Sequence, residues 1–319
     1  MMEPKNEIEK SKKESKKGSS WMTMEKTDLL VIGAGPAGIS AALYARRGGL
    51  SVTVVTKGIE TGGLSKAEKI ENYYGFAEPI SGKELLRRGA AGARRLGVEI
   101  VEEELLALSF NDTFDGFKAA SRQHEWEASA VVLAAGASRR TLPIPGIAEF
   151  EGKGVSYCAI CDAFFYRGKK VAVIGSGEYA VHEAQVLLPH AEKVTLLTNG
   201  EPLTAEVPDD VAVCDGKIAA AEGAGRVEHV RFADGEVLPL DGLFLAIGTA
   251  GSSELARKIG AMLDGADVKV DVHQATNVPG LFAAGDCTGG LLQVAKAVHE
   301  GAEAGLSALR YVRSKRNAK

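Results

Sequence analysis

Cys158-Ala159-Ile160-Cys161 sets two cysteines two residues apart, and Asp162 follows directly. That spacing lets two thiols close a small, reducible ring, and an adjacent carboxylate can carry the proton that thiol-disulfide exchange moves. Half of a zinc site is the competing reading, but tetrahedral zinc needs two more Cys or His ligands, normally as another close pair. The other cysteines, Cys214 and Cys287, stand alone, so no metal site is expected. Cys158 and Cys161 are therefore the candidate redox pair, with Asp162 as acid or base; an N-cap or surface carboxylate is the plainer role for Asp162. Cys287 reads best as a small buried hydrophobe.

The elements around this pair repeat. Upstream, the apolar strand Asp28–Ile32 runs into Gly33-Ala34-Gly35-Pro36-Ala37-Gly38, followed by a helix to Arg47 and a second strand, Ser51–Thr56. A strand, a GxGxxG turn and a helix let backbone approach a pyrophosphate and offer it the donors of a helix N-terminus. Thr56 and Lys57 stand where an acidic residue usually meets the ribose. Downstream, Lys170–Ile174 leads into Gly175-Ser176-Gly177-Glu178-Tyr179-Ala180, a helix to Leu188 and the strand Lys193–Thr198. The chain is therefore α/β with two Rossmann-like, three-layer nucleotide-binding units. Further strands are expected over Trp126–Ala135, ending at Gly136, over Gly242–Gly248, and over Gly280–Gly285, stopping at Asp286; a helix is expected from about Leu292 to Arg313.

Composition excludes several classes. The 319 residues suggest about two domains, 45% are hydrophobic, and the net charge is −4, with no basic bias for nucleic acid or lipid headgroups. No run of about 18 apolar residues suggests a membrane span. Met1 to Lys26 begins as a Lys/Glu/Ser-rich stretch without the apolar core of a secretory signal, and reads as a polar tail. One close cysteine pair without an export signal fits a reducing cytoplasm.

Taken together and in order, Gly33–Gly38, Glu71-Asn72-Tyr73-Tyr74-Gly75, Gly136-Ala137-Ser138, Cys158–Asp162 with Phe164-Phe165-Tyr166, the second GxGxxA and Ala283-Ala284-Gly285-Asp286 resemble the low-molecular-weight thioredoxin reductase family. The resemblance implies FAD on a discontinuous domain, residues 27–150 plus 250–319, and an inserted domain, 151–249, that carries the cysteines and, normally, NADPH. It implies FAD contacts from Gly33, Gly35, Pro36, Ala37, Gly38, Thr56, Gly62, Gly63, Asn72, Gly136, Gly285, Asp286, Gln293, Val294 and Ala295, and Cys161 as the flavin-facing sulfur. It also implies a homodimer, and rotation of the inserted domain about hinges near Gly152–Gly154 and Gly248–Gly251.

The chain departs from the family pattern in three places. Thr198–Thr204 stands where NADPH-using members carry an arginine cluster, and it adds Glu201 instead of the cations a 2′-phosphate needs. Glu178 and Tyr179 put charge and bulk in the turn formed by Gly175, Gly177 and Ala180, so a degenerate nicotinamide site is expected, in a short inserted domain whose Gly/Ala-rich Gly216–Gly225 stretch stands where a longer βαβ element would be expected. Leu292-Gln293-Val294 replaces the family's Tyr-Arg-Gln beside the flavin. The expected function is electron transfer from NADPH, NADH or a non-nicotinamide donor such as ferredoxin, through FAD and the cysteine pair, to thioredoxin or a similar protein. The alternatives are an oxygen-using, FAD-dependent dithiol oxidase, against which Asp162 argues because His commonly stands there, and a redox-silent flavin-binding protein.

Overall fold

The structure, a computed structural model, describes residues 24–136, 143–157, 159–247 and 251–318, and of Cys161 the backbone. The first sheet is built from β1 (Met24–Ile32), β2 (Val52–Thr56), β3 (Glu99–Glu102), β4 (Ala107–Phe110), β5 (Phe117–Ala120) and β6 (Glu125–Leu133), in the order β3-β2-β1-β6-β5-β4. β3, β2, β1 and β6 run parallel, whereas β5 and β4 are antiparallel additions. The central segments Leu29–Ile32 and Ala130–Leu133 are buried throughout, as expected of parallel strands covered on both faces. Helix α1 (Pro36–Arg47) connects β1 to β2, and α2 (Gly82–Arg95) precedes β3, its N-terminus capped by the Ser81 hydroxyl, which accepts from the Glu84 N–H at 3.2 Å.

A second sheet occupies the middle of the chain. It contains β7 (Val155–Ser156), β8 (Lys170–Ile174), β9 (Lys193–Leu197), β10 (Val211–Cys214) and the later strand β14 (Gly242–Leu245), all parallel, in the order β10-β9-β8-β14-β7. Two helices accompany it, the short α3 (Ala159–Asp162) and α4 (Glu178–Leu187). β11 (Ile218–Glu222), β12 (His229–Phe232) and β13 (Val237–Pro239) form a separate antiparallel sheet. The Gly216–Gly225 stretch, standing where a longer βαβ element is expected, contains β11, which pairs antiparallel with β12 across a register shift between Ile218 and Ala220. Ile144, Ile147 and Phe150 pack into this second core beside Val155 and Ala172, ahead of the crossover expected at residue 151.

The chain then returns to the first sheet. Helix α5 (Ser252–Lys258) packs on β4 and β6, a hairpin follows with β15 (Leu263–Asp264) and β16 (Asp267–Val268), and β17 (Leu281–Ala283) pairs parallel with β6. The final helix, α6 (Val294–Asn317), lies along α1. Their approach depends on missing side chains: a Cβ at Gly301 would stand 2.1 Å from the Ala37 carbonyl oxygen, and one at Gly305 would stand 2.4 Å from that of Ala41. The two sheets share a continuous core, in which Leu30 and Leu133 of the first join Val173, Tyr179 and Leu187 of the second.

Candidate active site

Four turns at the carboxyl ends of first-sheet strands, after β1, β2, β6 and β17, make a cradle. Gly33 leaves β1 at φ +111°, a left-handed conformation that glycine adopts without penalty, and a Cβ at Gly38 would lie 1.9 Å from the Gly33 carbonyl oxygen. Gly35 caps α1 and Pro36 begins it, so the amides of Ala37 and Gly38 stand in a first turn without intrahelical acceptors. The Cβ direction at Gly35 meets nothing within 4 Å. This open approach to a helix N-terminus is what a pyrophosphate requires, and the cradle fits a dinucleotide.

The other expected contacts surround that opening. Thr56, buried at the end of β2, hydrogen-bonds the Gly58 carbonyl at 3.3 Å, turning the chain toward Gly62 and Gly63, which are exposed and face open space. Gly136 follows β6 and also faces open space. Asn72 Nδ2 donates to Gln293 Oε1 at 3.2 Å, joining the early loop to the residue that precedes α6. Val294 and Ala295 are the first two residues of α6. Gly285 and the half-buried Asp286 follow β17.

This last turn is held by two side chains that the sequence did not single out. Glu300 Oε2 accepts from the Gly285 N–H at 2.8 Å and from the Thr288 hydroxyl at 2.9 Å, and pairs with Lys296 at 3.0 Å. Lys296 in turn donates to the Gly285 carbonyl at 2.8 Å and to Thr288 Oγ1 at 3.0 Å. Their i,i+4 spacing looks like an ordinary surface pair. Cys287, in the same turn, has no exposure and donates to the Ala284 carbonyl at 3.4 Å; burial pushes its thiol up to about 11.

Cys158 lies outside the described residues, as does the hinge expected at Gly248–Gly251 apart from Gly251. Cys161 falls within α3, and Asp162 ends that helix. Asp162 does not cap the following 3₁₀ turn, Ala163–Tyr166; its carboxylate accepts from the Ser156 hydroxyl at 2.6 Å. Beyond it Ile160, Phe164 and Phe165 are exposed at 51%, 66% and 67%, an apolar patch beside the cysteine segment. Ala159, by contrast, is buried, and its N–H donates to Glu183 Oε2 at 2.9 Å.

The second glycine turn differs from the first. Gly177 precedes α4, and Glu178 is its first residue, so a carboxylate rather than open space stands at this helix N-terminus. Arg122, from the turn between β5 and β6 of the first sheet, donates to Glu178 Oε1 at 2.8 Å and to Glu206 Oε2 at 3.4 Å. Ala180 is fully buried. Tyr179 corrects an expectation: its ring does not stand in the phosphate turn but is fully buried in the shared core, with Lys258 Nζ 4.8 Å from its centroid. Among the described residues no cluster of His, Cys, Asp or Glu could hold a metal, and no helix is long and apolar enough to cross a membrane.

Comparison with known proteins agrees with this arrangement. Residues 27–301 match the family described as pyridine nucleotide-disulphide oxidoreductase. A thioredoxin reductase from Listeria innocua is 32% identical over 91% of this chain and 95% of its own. Among solved structures, the atypical thioredoxin reductase TRi from Desulfovibrio vulgaris Hildenborough superposes with a TM-score of 0.85 at 40% identity, over 90% of this chain and 98% of its own. A ferredoxin-flavin thioredoxin reductase from Clostridium acetobutylicum gives a TM-score of 0.72 at 31% identity, over 93% of this chain and 100% of its own.

Proposed function

The chain belongs to the pyridine nucleotide-disulphide oxidoreductase family and within it to the thioredoxin reductases; on that premise we propose that it reduces thioredoxin or a similar small disulfide protein with electrons from a protein donor of the ferredoxin type. FAD, when bound, would collect two electrons one at a time from such a donor and pass them on together to the Cys158–Cys161 disulfide. Gly33, Gly35, Pro36, Ala37, Gly38, Gly285 and Asp286 would bind its pyrophosphate and neighbouring hydroxyls, and Asn72, Gln293, Val294 and Ala295 would line its ring end. Thr56, Gly62, Gly63 and Gly136 would shape the rest. In this reading the flavin domain comprises residues 27–143 plus 250–319, and the inserted one begins at Ile144, which packs in the second core, and runs to 249.

Two electrons and two protons convert the disulfide to two thiols. One thiolate then attacks the partner's disulfide to give a mixed disulfide, and the other thiol resolves it, releasing the partner as a dithiol and re-forming Cys158–Cys161. Asp162, steadied by Ser156, would hold and return the proton. The exposed Ile160, Phe164 and Phe165 offer that partner an apolar landing surface.

The observation that carries the choice of donor is Glu178 at the first position of α4, engaged by Arg122. A carboxylate there repels a pyrophosphate, and Thr198–Thr204 contributes no cation for a 2′-phosphate. Under anaerobic conditions, chemically reduced ferredoxin should bleach the flavin within seconds while NADPH and NADH leave it oxidised. Prompt bleaching by NADPH would overturn the reading of the donor. A cytoplasmic homodimer belongs to the same reading, and sedimentation of the holoprotein tests the dimer.

A further inference from the structure

Helix α5 carries two consecutive cations, and each reaches a different neighbour of Cys158. The Arg257 guanidinium lies 4.8 Å from the Tyr157 ring centroid. Lys258 Nζ pairs with Glu183 Oε1 at 2.7 Å, and the other oxygen of that carboxylate accepts the Ala159 N–H at 2.9 Å. The ion pair is almost sealed from water, with 2% of the lysine side chain and 1% of the glutamate side chain exposed. α5 packs on the first sheet, whereas α4, which bears Glu183, packs on β8 and β9 of the second. The residues immediately before and after the cysteine are thus both tied to a helix of the other nucleotide-binding unit.

We propose that Arg257 and Lys258 are positioning residues for the redox reaction, holding Tyr157 and, through Glu183, Ala159 against the flavin-binding unit. The inference rests on the reading of Cys158–Cys161 as the redox pair. A buried ion pair is a demanding fastening, because separating it leaves two charges in a site with little water. Its bond to a main-chain N–H makes it directional as well, since a carboxylate that spends one oxygen on the lysine and one on Ala159 fixes the backbone beside the cysteine in distance and angle. The cation over Tyr157 acts on the other side of that cysteine and is more weakly fastened, because Arg257 is exposed. Swinging the inserted unit away would release both contacts together.

The test is alkylation of the dithiol-reduced holoprotein with iodoacetamide, followed for each cysteine by peptide mass spectrometry in wild type, Lys258→Met, Arg257→Gln, Arg257→Lys and the doubly neutral Glu183→Gln/Lys258→Met. The double variant removes both buried charges and leaves an amide oxygen for Ala159, so it should fold even if Lys258→Met alone does not. Labelling of Cys158 should quicken at least tenfold in Lys258→Met and the double variant, and several-fold in Arg257→Gln. Arg257→Lys should return to within about twofold of wild type, and Cys287 should stay protected throughout. Rates within twofold of wild type in Lys258→Met, the double variant and Arg257→Gln would overturn the proposal. Parallel exposure of Cys287 would do the same, because it would show general loosening instead of local positioning. Mass analysis of the oxidised wild type keeps the two ideas apart: a missing Cys158–Cys161 disulfide would sink the redox reading and the proposal with it, whereas unchanged labelling beside an intact disulfide sinks the positioning role alone.

Discussion

Arg122 and Glu178 meet at 2.8 Å between a turn of the first sheet and the first residue of a helix on the second. The contact spends a carboxylate where a nicotinamide cofactor would place its pyrophosphate. Replacing Glu178 with Asn removes a negative charge from the first turn of this helix, worth about 1 kcal/mol to an approaching anion at a partly solvated surface, or roughly fivefold in affinity. NADH binding, followed by quenching of protein fluorescence, should tighten by that factor in Glu178→Asn and respond to salt less than in wild type. Unchanged binding would mean that the carboxylate does not guard the turn.

Cys287 should be chemically silent in the folded protein. Burial raises its thiol to about 11, so at neutral pH only a minute fraction is thiolate, and its sulfur is sealed beneath the Leu133 and Ala284 carbonyls. Ellman's reagent should label it only after denaturation, and Cys287→Ala should keep its flavin and turnover while losing about 1 kcal/mol of stability. Labelling at the rate of a free thiol would contradict its burial.

Glu104 gives a pH prediction of definite sign. Desolvation raises its folded-state pKa above 4.5, and the neighbouring Lys57, 3.2 Å away, only partly opposes this. One carboxylate oxygen is buried without a hydrogen-bond partner. Because folding favours the protonated acid, this group stabilises the fold below its unfolded value, and that contribution disappears as pH rises through the higher folded value. Glu104→Gln should therefore melt at a higher temperature than wild type at neutral pH, with the advantage shrinking toward zero as pH falls below 4.5. An advantage that grew on acidification would reverse the assignment.

The parts of this molecule that were legible in its sequence are those whose physics is local. Gly33, Gly35 and Gly38 announce a turn because the turn needs them within six residues, and the strands on either side alternate or run apolar as their burial demands. What escaped are pairs brought together by the fold. Lys258 and Glu183 are separated by 75 positions, and Arg122 and Glu178 by 56, so each looks in sequence like one more solvated charge. Tyr179 misled for a related reason: sequence placed it in the phosphate turn, but only the fold shows that its ring points into the shared core.

Gly301 tests the seam between α1 and α6. A methyl group at this position would stand 2.1 Å from the Ala37 backbone oxygen, which cannot rotate out of the way as a side chain could. The two helices would have to separate, at a cost of about 1–3 kcal/mol, and Ala37 sits in the turn proposed to face the pyrophosphate. Gly301→Ala should therefore lower both the melting temperature and the flavin-to-protein ratio after gel filtration. Loss of stability with full flavin retention would separate the seam from the cradle.

Glu300 is the sharper probe of the same cradle, because it acts through hydrogen bonds on the Gly285–Asp286 turn. Glu300→Ala strips an acceptor from the Gly285 N–H and the Thr288 hydroxyl and leaves Lys296, only 15% exposed, without its counter-charge. Unpaired donors of this kind cost about 1–3 kcal/mol each when fully buried, and the residual exposure of the lysine lets water recover part of that. The turn that presents Asp286 should loosen, and the purified variant should lose most of its flavin. Glu300→Gln keeps an oxygen for Gly285 and should retain flavin close to the wild-type ratio while melting earlier, since Lys296 then faces a neutral partner. If Glu300→Ala kept its flavin as tightly as Glu300→Gln, the network would serve α6 alone and the turn would hold its shape without it.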